Sequence, residues 1–258
     1  MAPTADQVAD EYRRLQSQLS GEAAAQVTVA YETLLNPLDL ERTFPLYAEV
    51  VAQIIEAARQ SAAVLAGAFY IAHREASRVL GEVPAIAYAG QLPPALLSTS
   101  LLVTGPVRVK RLTAQGASPA QAAAGGRVAT ARAAIRHVTD GGRATIRDTT
   151  RRDRLALGFA RLTDGDPCYF CAMLASRGPV YESELAAVGD EDDPYHDGCG
   201  CVPAPVYRRA DPWPGQAREY ESLWKDATTG RSGRAAINAF RRAYEARQRA
   251  TREGAQTA

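Results

Sequence analysis

Asp166-Pro167-Cys168-Tyr169-Phe170-Cys171, then 24 residues, then His196-Asp197-Gly198-Cys199-Gly200-Cys201, is the stretch on which the reading of this chain turns. It contains all four cysteines of the 258-residue sequence. A Cys-x2-Cys pair forms a tight turn that aims two sulfurs at one point, and zinc asks for four such ligands in a tetrahedron. Cys199 and Cys201 stand two apart, so on an extended strand they share a face. His196 lies three before Cys199 and could reach the same point from a turn. Gly198 and Gly200 leave the backbone free to fold these ligands inward. Five candidates therefore compete for four positions. One solution uses Cys168, Cys171, Cys199 and Cys201 with His196 alongside; the other uses three cysteines and His196. Either set closes the coordination shell, so the expected zinc is structural rather than catalytic. A disulfide scaffold would spread its cysteines along a small secreted chain, and a redox Cys-x2-Cys would stand in a strand–helix context without a second pair.

Outward from this stretch the sequence reads as helix. Thr4 to Gln7 has the form of a capping box, followed by Tyr12, Leu15 and Leu19 at helical spacing. Ser20-Gly21 is expected to punctuate, and a second segment to stop at Asn36-Pro37. Pro45 to Leu80 suits one long helix with Gly67 as its weak point. Residues 81 to 106 break the pattern with Pro and Gly, and a further helix is expected over Leu96 to Thr113. Ser118-Pro119 is a start signal, a capping serine before a first-turn proline. That helix is expected to end near Thr139, because Asp140-Gly141-Gly142 reads as a stop, and another to run from Arg143 to about Leu162. Pro214 to Thr251 is helical again, with one apolar patch at Tyr220, Leu223 and Trp224 and a second at Ile237, Phe240 and Tyr244; core is the expected destination of both. The expected fold is mainly α: a helical N-terminal half (1–117), a small α+β module with the Cys/His zinc site (118–206) and a C-terminal helical tail (207–258).

Composition excludes several classes. Net charge is +1 and hydrophobic residues make up 46%, so a core can form and no global charge argues for nucleic acid or membrane. The start lacks a basic segment followed by an apolar one, so no secretory signal is expected. The uncharged run Val83 to Val107 is long enough to span a bilayer, but its prolines, glycines and Ser98-Thr99-Ser100 point to a buried or loop-rich connection. From Arg127 to Arg161 there are nine Arg against three Asp: either a solvated face of ion pairs or a contact surface for DNA phosphate or an acidic protein. Residues 182 to 193 carry six acidic residues, without the regular oxygen spacing and glycine turn of a calcium loop.

The run Cys168-x2-Cys171, Leu174, Gly178, then His196-x2-Cys199-x-Cys201 and Pro203, resembles the C-terminal domain of phage head morphogenesis proteins of the Mu F type. That family's motif ends in His-Pro-x-Cys-Arg-Cys; here Asp197 replaces the proline and Gly200 the arginine. The tail around Leu223-Trp224 and Ala239-Phe240-Arg241-Arg242-Ala243 is similar to minor capsid proteins of actinobacterial tailed phages. The resemblance implies a minor capsid protein made in the bacterial host cytoplasm and carried inside the virion. It implies docking on the portal and on the major capsid or scaffold protein during procapsid assembly, with non-specific contact to packaged DNA and no membrane. A capsid maturation protease is the alternative function, and a packaged DNA-binding protein another. Catalysis is not expected. No Gly-x-Ser-x-Gly or His-Glu-x-x-His motif is present. Of the three possible bases, His196 is claimed by the metal, His73 reads as a boundary residue, and His137 as a helix-end residue favoured by the dipole.

Overall fold

The computed structural model describes residues 2–163, 167–178, 197–208 and 215–256. Helix α1 (Ala5–Leu34) starts as its sequence demands: Thr4 Oγ1 accepts the Gln7 N–H while Gln7 Oε1 accepts the Thr4 N–H. Ala9, Tyr12, Gln16, Ser20, Ala23, Val27 and Ala30 are buried along one stripe. The expected break at Ser20-Gly21 does not occur. Ser20 returns its hydroxyl to the Ser17 carbonyl at 3.1 Å, and the helix continues. Helix α2 (Leu40–Ala76) begins five residues before Pro45 and ends four before Leu80. Pro45 is carried within its second turn, at the cost of one backbone donor. Gly67 is not a weak point in it: a Cβ there would lie 2.8 Å from the Tyr88 ring, so the glycine admits an overlying strap.

Beyond α2, residues 81–93 run without regular structure across the bundle. The Ala87 and Ala89 amides donate to Thr149 and Thr145 at 3.0 Å each, and the Leu92 amide to Glu56 at 3.3 Å. Buried peptide groups outside helix and sheet need such partners, and two threonines one helical turn apart supply them. Helix α3 (Pro94–Leu102) passes through a π-turn (Val103–Val107) into α4 (Arg108–Ala114). Pro106 sits in that π-turn, where a missing N–H is absorbed by the wider winding.

Helix α5 (Pro119–Thr150) opens with the Ser118–Gln121 capping box and Pro119 at its first position. It does not end at Thr139. Asp140-Gly141-Gly142 lies inside it, and the glycines mark a close crossing instead. A Cβ on Gly141 would meet the Arg59 carbonyl oxygen at 2.6 Å, and one on Gly142 the Tyr12 hydroxyl at 2.6 Å. α1, α2 and α5 share a core built from Val27, Tyr31, Tyr47, Val51, Ile55, Ala134 and Val138. At the far end Asp153 takes bonds from Tyr70 Oη and Arg74 Nε, each at 3.0 Å, which ties the exit of α5 to α2. No described helix is long and apolar enough to cross a membrane.

The helix expected from Arg143 to about Leu162 is replaced, past Thr150, by a turn and a strand. β1 (Gly158–Leu162) pairs antiparallel with β2 (Val202–Val206), with Ala160 opposite Ala204. Pro203 and Pro205 alternate along β2, a position proline tolerates because their missing donors fall on the unpaired edge. Between the strands stands the short α6 (Tyr169–Ala175), and α7 (Ala217–Thr228) and α8 (Gly233–Gln256) follow. Ala172, Met173 and Leu174 of α6 pack with Tyr220, Phe240 and Tyr244, and Leu223, Trp224 and Ile237 lie against them. Both apolar patches of the tail are thus core. The chain is mainly α, with one two-stranded sheet.

Candidate metal centre

Three thiols meet at the junction of α6, β2 and α5. The Sγ atoms of Cys171, Cys199 and Cys201 all lie within 4.8 Å of one another, and the three residues are no more than 2% exposed. Cys171 Sγ and Cys199 Sγ are 3.6 Å apart. A tetrahedron with metal–sulfur arms near ~2.3 Å has edges of about 3.8 Å, whereas a disulfide would close to about 2.05 Å. All four cysteines are free thiols. Spacing and donor type therefore fit a divalent ion of the zinc class.

Cys168 caps α6: its Sγ accepts the Cys171 N–H at 3.5 Å, and its side chain packs against the other three. The acidic run 182–193 and His196 fall outside the described residues. The second thiol pair is delivered by Gly198, whose φ of +80° favours glycine. Its N–H donates to the Arg132 carbonyl at 3.2 Å.

Helix α5 holds this turn with one row of arginines. Arg132 Nη2 donates to the Asp197 carbonyl at 3.1 Å, and Arg136 Nε to the Asp197 carboxylate at 2.6 Å. Arg143, 3% exposed, donates from Nε to the Cys201 carbonyl at 2.9 Å and from Nη2 to the Cys199 carbonyl at 2.7 Å. Its Nη1 pairs with Asp140 at 2.6 Å. From β1, the buried Arg161 places Nη1 3.6 Å from Cys171 Sγ. In the sequence these arginines form one basic run, and in the fold each has a separate role. The available signal was the spacing of 132, 136 and 143, which puts three on one helix face.

The thiols do not titrate alike. Contacts with the Cys168, Cys199 and Cys201 thiols push Cys171 strongly up. Hydrogen bonds from Cys171 and Cys201 pull Cys199 strongly down, and the Arg143 charge acts in the same direction. The cluster thus favours a thiolate on Cys199, the form that binds a metal.

The remaining histidines are elsewhere. His73, expected at a boundary, is buried at 7% exposure beside Phe69, with ring centroids 5.2 Å apart. His137, expected near a helix end, is in the interior of α5 and 1% exposed, with Nε2 2.8 Å from Ser100 Oγ. Burial pushes its pKa down to about 4, with Arg136 and Arg59 adding to the shift and Asp140 and Asp197 opposing it. It is therefore a neutral interior group at pH 7 rather than a charged partner of the helix dipole.

Gene 15 protein of Mycobacterium phage D29 is 30% identical over 127 residues, which cover 37% of this chain and 46% of that protein. The match thus spans less than half the length of that relative. No solved structure matches. The model of the VG15 protein family matches residues 3–227, most of the chain. The chain belongs to the VG15 protein family, and its likeness to the mycobacteriophage protein marks it as a phage protein.

Proposed function

We propose that this protein is a minor capsid protein of the Mu F type. In this reading it assembles with the portal, and with the major capsid or scaffold protein, in the procapsid, and stays in the head. A structural zinc held by the cysteine cluster stabilises its C-terminal module. The observation that carries the proposal is the convergence of Cys171, Cys199 and Cys201, drawn from two segments 28 residues apart, on one buried point. These are residues on which the head-protein resemblance rests, in a chain of a phage family. When bound, zinc would supply four strong bonds worth on the order of 10 kcal/mol of folding free energy, as much as an ordinary domain's whole stability.

The enzyme reading has one feature in its favour, the His137–Ser100 contact. A nucleophile, however, must be reachable by substrate and its base oriented by a third group. His137 is sealed in the bundle core, so we assign the pair to packing. DNA contact is a lesser role. Of the arginines between 127 and 161, Arg127 pairs with Glu32, Arg136 with Asp197, Arg143 with Asp140, and Arg147 and Arg151 with Asp148. The basic run is largely spent inside the molecule.

The test is assembly. In a phage carrying Cys199→Ser, heads should contain much less of this protein, and the purified variant should fail to co-purify with portal rings that retain the wild type. Normal incorporation and normal portal binding by the variant would refute the proposal.

A further inference from the structure

We infer that the metal centre is an all-sulfur site whose fourth arm is Cys168. The inference rests on reading the cluster as a metal centre and goes on to name its ligands.

Three arms are fixed by geometry: Cys171, Cys199 and Cys201, all buried and within 4.8 Å of one another. Two corners of this triangle, Cys171 and Cys199, line a cavity of about 540 Å³, whose walls also include Cys168, Arg132, Glu245 and Arg249. A metal site needs an entry path as well as ligands, and this cavity provides one. Among the described residues lining it, Cys168 and Glu245 are the remaining side chains of the types that ligate zinc. Glu245 is engaged by Arg241 at 2.7 Å. Cys168 already packs against the three thiols, half-buried at the cavity wall, with its Sγ held by the Cys171 amide. Cys168 stands outside the group of thiols within 4.8 Å of one another, so its side chain would turn inward to complete the tetrahedron.

Charge points the same way. A dication with four thiolates carries a net charge of about −2, and with three thiolates and an imidazole about −1. Arg161 stands against Cys171 Sγ, and Arg143 is buried against the peptides of Cys199 and Cys201. Positive groups at this range favour the more negative shell. The chain, moreover, is still tied to α5 at Asp197 by Arg132 and Arg136. The turn that delivers the sulfurs is made just after that, at Gly198.

Cobalt(II) in place of zinc reads the ligand set in the full-length chain. His196→Ala should keep one cobalt per chain and the full thiolate-to-cobalt charge-transfer absorption. Cys168→Ser should lose about a quarter of that absorption, one sulfur in four, and surrender the ion to a chelator about tenfold faster or more. Cys168→His, which restores a ligand, should hold a full equivalent of cobalt with the reduced absorption, and so covers the case in which the serine variant misfolds. Altered ligand-field bands in His196→Ala, with undiminished absorption in both Cys168 variants, would overturn the assignment. A folded wild-type chain that takes up no cobalt would remove the metal reading itself, a result distinct from a wrong fourth ligand.

Discussion

At the residue scale, the chemistry of this protein depends on side chains whose partners are far away in sequence. Arg143 shows this best: one guanidinium reaches two carbonyls of the Cys199–Cys201 turn and the carboxylate of Asp140. Arg143→Met would leave two buried carbonyls without donors, at a cost of roughly 2–4 kcal/mol. Urea unfolding of the metal-loaded chain should show that loss. Arg143→Lys should recover little of it, because an ammonium cannot span two acceptors as a planar fork does. The convergence of Cys171, Cys199 and Cys201 was legible because paired spacing and residue type together point to one locus. Arg143 was not, because nothing local distinguishes it from the surface arginines around it. His137 makes a second prediction. Its pKa is depressed to about 4 when folded and returns to about 6.5 when unfolded. Between those values the unfolded chain binds the extra proton, so the stability that neutral His137 confers is complete above about pH 6.5 and lost as pH falls toward 4. Against His137→Gln, the wild type should lose more stability between pH 7 and pH 5 in parallel urea titrations; equal losses would count against the buried neutral imidazole.

Among the elements, the caps and the stop at Asn36-Pro37 form as their sequences spell, whereas two other interruptions do not. Thr4–Gln7 and Ser118–Gln121 each form the box their sequences spell, because a cap is decided within four residues. Ser20-Gly21 and Asp140-Gly141-Gly142 spell equally local stop signals and stop nothing, because tertiary contact decided there. The two sites then part company. Gly21 has no atom within 4 Å of a Cβ position, whereas Gly141 would collide with the Arg59 backbone. Gly21→Ala should therefore raise stability by up to about 1 kcal/mol through helix propensity. Gly141→Ala should lower it by about 1–3 kcal/mol through overpacking. Thermal melts of the two variants should move in opposite directions, by about 2–4 °C per kcal/mol in a chain of this size. The sheet escaped the sequence reading for a different reason. Gly158–Leu162 continues the Arg and Leu spacing of a helix, and its strand character comes from its partner β2, whose alternating Pro203 and Pro205 were the one period-two signal.

Across the whole molecule, α5 is the common member. It packs with α1, α2 and α4, while its Arg132, Arg136 and Arg143 hold the turn that carries Cys199 and Cys201. The apolar bundle has its own core. The sheet borrows its core from the bundle, with Leu162, Val202 and Ala204 packed against Tyr12, Phe69, Tyr70 and Ile146, and α6 borrows its own from α7 and α8, the circumstance in which small modules rely on a metal. Zinc should then matter to the module more than to the bundle. The decisive measurement is the metal content of the full-length chain, purified without added metal, combined with its urea unfolding before and after chelation. The account predicts one zinc per chain, much less in Cys199→Ser, and a chelated protein whose β2 and α6 lose amide protection while α1 and α2 keep theirs. A metal-free wild-type chain that unfolds at the same urea concentration with and without chelator would contradict it.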